Sequence, residues 1–87
     1  SNNYPNPFNP VTTIDFYLPF NGIVDVTIYD IRGNKINQLV KGYKDSGQRS
    51  VQWDATNSKG QSVSAGVYIY SITVDGFKQT KKILLVK

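Results

Sequence analysis

Six aspartates are the only acids in this chain; glutamate, histidine and cysteine are all absent. A Ser-His-Asp triad, a cysteine nucleophile and the usual zinc sites are thereby excluded, because each needs an imidazole or a thiolate. Paired carboxylates can still carry acid–base chemistry. Their placement argues against it. Asp30, Asp45, Asp54 and Asp75 fall in turn-like stretches, while Asp15 and Asp25 alternate with apolar residues and face outward. The stretch Asp54-Ala55-Thr56-Asn57-Ser58-Lys59-Gly60 has the polarity of a calcium loop but lacks the second and third carboxylates and the distal glutamate. No glycine motif that cradles phosphate occurs. Aromatics make up 13% of the chain, which raises sugar stacking by Tyr17, Tyr29 and Tyr43; outward tyrosine is also ordinary on a strand. No catalytic, cofactor-binding or metal-binding residue is assigned, and no cofactor is expected.

A different kind of signal stands near the start, in Asn3-Tyr4-Pro5-Asn6-Pro7-Phe8-Asn9-Pro10. Each proline lacks a backbone N–H and fixes φ, so neither a helix nor a central strand can form. Tyr4, Asn6 and Asn9 precede prolines and are driven toward extended geometry. The expected form is a stiff ribbon of polyproline-II type in which Tyr4 and Pro7 share one edge and Pro5 and Phe8 another. Such a ribbon loses little entropy on docking, onto its own domain or into a partner's groove.

The 87 residues make one small domain, with residues 1–11 as a linker end and proline-rich lead-in and residues 12–87 as the folded unit. Alanine occurs only twice and Val, Ile, Thr and Tyr abound, so the fold class is all-β. The net charge is +4, and Lys78, Lys81, Lys82 and Lys87 crowd the last ten positions. A basic strip meets nucleic acid, an acidic membrane surface or an acidic partner, or it protects an edge strand from aggregation. Nucleic acid is not expected, because no recognition helix or base-stacking sheet is legible. No apolar run reaches the roughly 18–20 residues that span a bilayer, so no membrane insertion is expected. No signal peptide is seen, and Ser1-Asn2-Asn3 reads as the end of a linker from a longer precursor.

Alternation predicts strands at 12–18, 23–29, about 35–40, 49–53 and 67–74, with a last strand at 77–86 and a short edge strand at 61–64. Ile14, Phe16 and Leu18 share one face of the first, as do Val24, Val26 and Ile28 of the second. Ile36 and Leu39 are three apart rather than two, which predicts a bulge or twist. Val51 and Trp53 are in phase and point inward. About seven short strands with turns every 8–12 residues give an Ig-like antiparallel β-sandwich, expected to be a monomer.

Asp75-Gly76 is the strongest hairpin signal, a two-residue turn of type I′. It pairs Val74 with Phe77, Ile72 with Gln79, Tyr70 with Lys81 and Tyr68 with Ile83. Tyr68, Tyr70, Ile72, Val74, Phe77, Ile83 and Leu85 then share the core face. Gln79 and Lys81 fall on it too, which requires either snorkelling from a rim or a bulge that shifts the phase. The opposite face is apolar at the open end, with Val67, Ile69, Leu84 and Val86, so that patch is either covered or a contact surface.

The octet, followed by Val11-Thr12-Thr13-Ile14-Asp15-Phe16-Tyr17-Leu18-Pro19, closely resembles the start of type A C-terminal sorting domains of the type IX secretion system. Val26 to Gly33, Val51-Gln52-Trp53-Asp54-Ala55 with Gly60, Ser64 to Tyr70 and Lys81-Lys82-Ile83-Leu84-Leu85-Val86-Lys87 resemble its later segments in order. Ala55 stands where glycine is common, and Ala65 where serine or proline is. The resemblance implies a non-catalytic module that directs an upstream cargo across the outer membrane, read by the translocon and in many members cut by a sortase-like protease. The destination it implies, after periplasmic transit, is the medium or the cell surface. The implied recognition residues are Tyr4, Pro5, Asn6, Pro7, Phe8, Asn9, Pro10, Gly66, Val67, Tyr68 and Lys81 through Lys87. The central motifs also resemble the Ig-like domain of the flagellar hook-capping protein, which lacks the octet and ranks second. A carbohydrate-binding or structural linker module is a further alternative.

Overall fold

The computed structural model describes residues 11–86, so the octet and Lys87 lie outside the described residues. Six strands follow one another: β1 (Thr12–Leu18), β2 (Gly22–Asp30), β3 (Lys35–Lys44), β4 (Gly47–Trp53), β5 (Gly66–Val74) and β6 (Phe77–Leu85). They form two antiparallel sheets, β1-β4 and β3-β2-β5-β6. The expected all-β sandwich is thus present, with six strands among the described residues rather than about seven. Residues 61–64 make no strand; only an isolated bridge joins Thr56 and Ser62. A polar segment without alternating apolar residues has no face to bury, so nothing extends that bridge into a ladder.

The core lies between the sheets and follows the period of two. Ile14, Phe16 and Leu18 of β1 meet Val24, Val26 and Ile28 of β2, together with Tyr68, Tyr70, Ile72 and Val74 of β5. Trp53 is fully buried at the centre, its ring edge-on to Tyr68 at 5.2 Å and 70°. The uneven spacing of Ile36 and Leu39 does produce irregular pairing. The β2–β3 register slips between Val26 and Thr27 and again between Ile28 and Tyr29, leaving those two apolar residues as the extra ones. Both pack against the core.

The β5–β6 register is the one that Asp75-Gly76 dictates, with Val74 opposite Phe77 and Tyr68 opposite Ile83. Asp75 and Gly76 both have positive φ, 47° and 81°, as a type I′ turn requires. One expectation fails here. Phe77 is 51% exposed rather than buried, and Gln79 and Lys81 are exposed with it. No bulge shifts the phase. The reason is the mismatch between sheets: two strands at about 4.8 Å spacing cannot cover four. β1 borders β6 across a cleft of about 390 Å³ lined by Asp15, Tyr17, Phe77, Gln79 and Lys81, so the turn end of β6 has nothing over it. On the opposite flank, Val40 and Lys44 of β3 face Gln48 to Val51 of β4 across a second cleft of about 370 Å³.

Candidate functional site

The described residues singled out in the sequence lie on the β5–β6 hairpin or just past it, divided between its outer and inner faces. Val67 stands opposite Leu84 and Ile69 opposite Lys82, all pointing away from the core. Val67 is 42% exposed and Leu84 69%, and Val86, just past β6, is 71% exposed. Gly66 opens β5 opposite Leu85. Tyr68, Ile83 and Leu85 are buried on the inner face, so they hold the hairpin in place and cannot be touched by a partner. Lys81 and Lys82 are split by the strand alternation: Lys82 lies beside Ile69 on the outer face, while Lys81 pairs with Tyr70 on the inner side. The expected basic group is therefore divided between the two faces. Tyr4, Pro5, Asn6, Pro7, Phe8, Asn9, Pro10 and Lys87 lie outside the described residues.

Pairing with β2 widens the surface beyond what the sequence indicated. Tyr29 stands beside Ile69, and Lys35 of β3 stands beside Tyr29. One row across the sheet thus reads Lys82, Ile69, Tyr29, Lys35, an apolar centre with a cation at each end. Ile31, 69% exposed in the β2–β3 turn, borders the Val67 side of the same face. Tyr29 was named in the sequence only as an outward tyrosine, and Ile31 and Lys35 were not named for this surface, because the row depends on the β2–β5 and β2–β3 pairings, the first of which joins segments about 40 residues apart. The alternation of Ile28 with Tyr29 was the signal for the latter's direction.

The turn beside this face is locked by Asp30. Its carboxylate accepts hydrogen bonds from the backbone N–H groups of Arg32 and Asn34, both at 2.9 Å, and from Asn34 Nδ2 at 3.1 Å. The Asn34 backbone donor, above all, holds the Asp30 carboxyl below the ordinary aspartate value, with the Asn34 amide, the Arg32 N–H and the Arg32 charge adding to it. Gly33, at φ +88°, completes the loop and donates its N–H to the Asp30 carbonyl at 3.0 Å. Tyr68 donates its hydroxyl to the Ser64 carbonyl at 2.6 Å, pinning the loop that leads into β5. Burial, with the nearby Asp30 charge, pushes the Tyr68 hydroxyl's pKa up.

Among the described residues no group of three or more acidic, histidine or cysteine side chains is placed to hold a metal ion. The Asp54–Gly60 loop is tied up internally instead. Asn57 Oδ1 accepts from the Lys59 and Gln61 N–H groups, and the Thr56 carbonyl accepts from Trp53 Nε1 at 2.8 Å and Asn37 Nδ2 at 3.0 Å. The three outward tyrosines form no common platform. Tyr17 belongs to the two-stranded sheet, and Tyr29 and Tyr43 flank opposite ends of β2, about 20 Å apart at 3.4 Å per residue. The arrangement supplies apolar area and flanking charge, which are the means of binding rather than of bond making.

Two antiparallel sheets closed around a central tryptophan define a module of the Ig-like class. Within that class, the chain belongs to the FlgD Ig-like domain family, whose profile matches residues 11–78. The fold is similar to the crystal structure of FlgD from P. aeruginosa, with a TM-score of 0.65 and 25% identity over 85% of this chain. It is also similar to FlgD from Xanthomonas campestris, described for hook capping essential for flagellar assembly, with a TM-score of 0.67 and 26% identity over 80% of this chain. The chain spans 59% of the first protein's length and 53% of the second's. No curated protein matches the sequence significantly. The hook-capping relation, second in the sequence reading, is thus the one the match supports. The octet and Lys81 through Lys87 both lie outside the matched residues.

Proposed function

We propose that this Ig-like module is a non-catalytic recognition domain that sorts a cargo polypeptide through the type IX secretion system. The observation that carries the reading is the outer face of the β5–β6 hairpin. Val67 and Leu84 form an exposed apolar pair there, next to exposed Val86 and the cation-flanked Ile69–Tyr29 row. Sandwich packing does not use these side chains, and small monomers seldom leave such patches without a role. The octet supports the same reading, because it is the part of the sorting-domain resemblance that the hook-capping relative lacks, and it lies outside the residues that the FlgD Ig-like profile matches. In this reading the translocon docks on Leu84, Val86 and Lys82, a sortase-like protease acts after passage, and the cargo ends in the medium or at the cell surface.

The test is export of a reporter fused upstream of the chain in a bacterium that has this secretion system. Export should be lost in a Leu84→Ser, Val86→Ser double variant whose circular dichroism and unfolding midpoint match the parent. Export that survives in the folded variant refutes the reading. A second reading is favoured by the family match itself: a structural module of the kind found in hook-capping proteins, which stiffens a larger protein. Removing the domain from its parent protein would then leave export of the rest unchanged while assembly fails.

A further inference from the structure

The two sheets present four edge strands, and three of them carry guards. β6 bears Lys78, Lys81 and Lys82, and β3 bears Lys35, Lys41 and Lys44 with two register slips. β4 turns Arg49 inward, in phase with Val51 and Trp53. Lysines, bulges and inward charges keep stray strands from pairing with an edge. β1 has none of them. Thr12–Leu18 holds no lysine, arginine or proline, its register with β4 is unbroken, and its one charge, Asp15, faces outward. Every second residue of an antiparallel edge strand turns its N–H and C=O away from its partner, so β1 offers such groups along its free side. That side borders the cleft beside β6. The cleft's floor is the turn-side half of β6, where Phe77, Gln79 and Lys81 lie on the inner face yet are exposed. The charged side chains lining it are Asp15 and Lys81, and Lys81 makes no ion pair among the described residues.

We propose that this ledge takes an extended segment of another polypeptide, added as a third strand beside β1, with an apolar side chain over Phe77 and an acidic one over Lys81. Packed sheets run nearly aligned, so those two side chains stand four residues apart on the incoming strand, as Phe77 and Lys81 do on β6. Pairing with the β1 backbone supplies affinity, and the floor supplies selectivity. A second folded copy does not fit by pairing β1 with β1. The twofold axis of that arrangement passes midway between the strands, ~2.4 Å from β1 at ~4.8 Å spacing. Two strands over four leave about one strand spacing uncovered on each flank, so β6 reaches ~4.8 Å past β1 and crosses that axis into its own copy. A lone strand brings no second sheet and meets no such clash. Lys82 and Leu84 lie on the other face of β6, so the ledge is separate from the docking face described above.

The experiment uses the full chain and a synthetic peptide of about nine residues, the length of a strand, rich in threonine and valine, with leucine and glutamate four apart on one face. Amide hydrogen exchange of β1 and peptide affinity are measured by NMR. The peptide should slow exchange of the edge-facing amides of β1 and shift the Phe77 ring signals. Exchanging its glutamate for lysine should weaken binding about fivefold, and Lys81→Glu should reverse that preference. A proline at the peptide's centre should abolish the protection, because it removes a ladder donor. Phe77 is half exposed, so Phe77→Ser should weaken binding while leaving the fold intact. Absence of binding, binding that leaves β1 exchange unchanged, or indifference to Lys81→Glu refutes the proposal. Protection of β1 in the chain alone refutes it too: if it grows with concentration, a second copy holds the edge, and if it does not, the same chain does. None of these readouts involves export, so the ledge and the sorting role stand or fall separately.

Discussion

Replacing Trp53 by phenylalanine tests whether the centre of the sandwich also organises the loop that follows it. Trp53 is fully buried and gives its Nε1–H to the Thr56 carbonyl at 2.8 Å. Phenylalanine keeps a ring against Tyr68 but loses that donor, at about 1 kcal/mol. The missing ring atoms leave a void worth about a further 1 kcal/mol at ~24 cal/mol per Å³. A total near 2 kcal/mol is a large part of the ~4–13 kcal/mol expected for a domain of this size. It should lower Tm by ~8–16 °C. The sharper test is the partner donor. Asn37 Nδ2 reaches the same carbonyl at 3.0 Å, so either donor alone still satisfies the half-buried Thr56 oxygen. Trp53→Phe combined with Asn37→Ala leaves it without either, which adds ~1–3 kcal/mol beyond the sum of the singles. Urea unfolding followed by far-ultraviolet circular dichroism gives each value from the midpoint at constant slope. Additivity within ~0.3 kcal/mol refutes the shared-acceptor reasoning.

Gly22→Ala should cost ~1–2 kcal/mol, because a Cβ there would stand 2.6 Å from Asp75 Oδ2 and 3.1 Å from Val74 Cγ2. Adding Asp75→Gly removes the nearer clash and the positive φ of a non-glycine residue, and should recover most of the loss in thermal melts. Asp30, whose folded pKa is held down chiefly by the Asn34 N–H, contributes stability that is complete above its ordinary value of 3.8 and is lost as pH falls through the lower folded value. Asp30→Asn should therefore flatten the acid limb of the stability curve below that pH and leave its neutral slope unchanged; an acid limb of unaltered steepness counts against the capping role.

Local patterns made most of the fold legible, and partner strands supplied the rest. Alternation placed Ile14, Phe16, Leu18, Val24, Val26 and Ile28 inward, and Asp75-Gly76 set the last hairpin's register, since both depend on adjacent residues. Phe77 shares that register and yet is exposed, because burial also depends on how far β1 and β4 reach across the wider sheet. Gly22 gave no sign of its tight approach to Asp75, which comes from a segment more than 50 residues away. The surface residues divide in the same way. Val67 and Leu84 were found from their own hairpin, whereas Tyr29 and Lys35 joined them only through β2.

The two-stranded sheet has a mechanical consequence. β1 has a single hydrogen-bonded neighbour, β4, along seven residue pairs from Thr12–Trp53 to Leu18–Gly47. β2 and β5, by contrast, each have a neighbour on both sides. Tension drawn through the proline-rich segment arrives at Thr12, the end of the β1 ladder. Against a hold at the Trp53 end of β4, such tension opens the pairs one after another instead of shearing all seven together. Peeling β1 takes Ile14, Phe16 and Leu18 out of the core without breaking a hydrogen-bonded pair of the four-stranded sheet. Held in that geometry, β1 is the strand with the fewest hydrogen-bonded neighbours to retain it, whereas β2 and β5 are each retained from both sides.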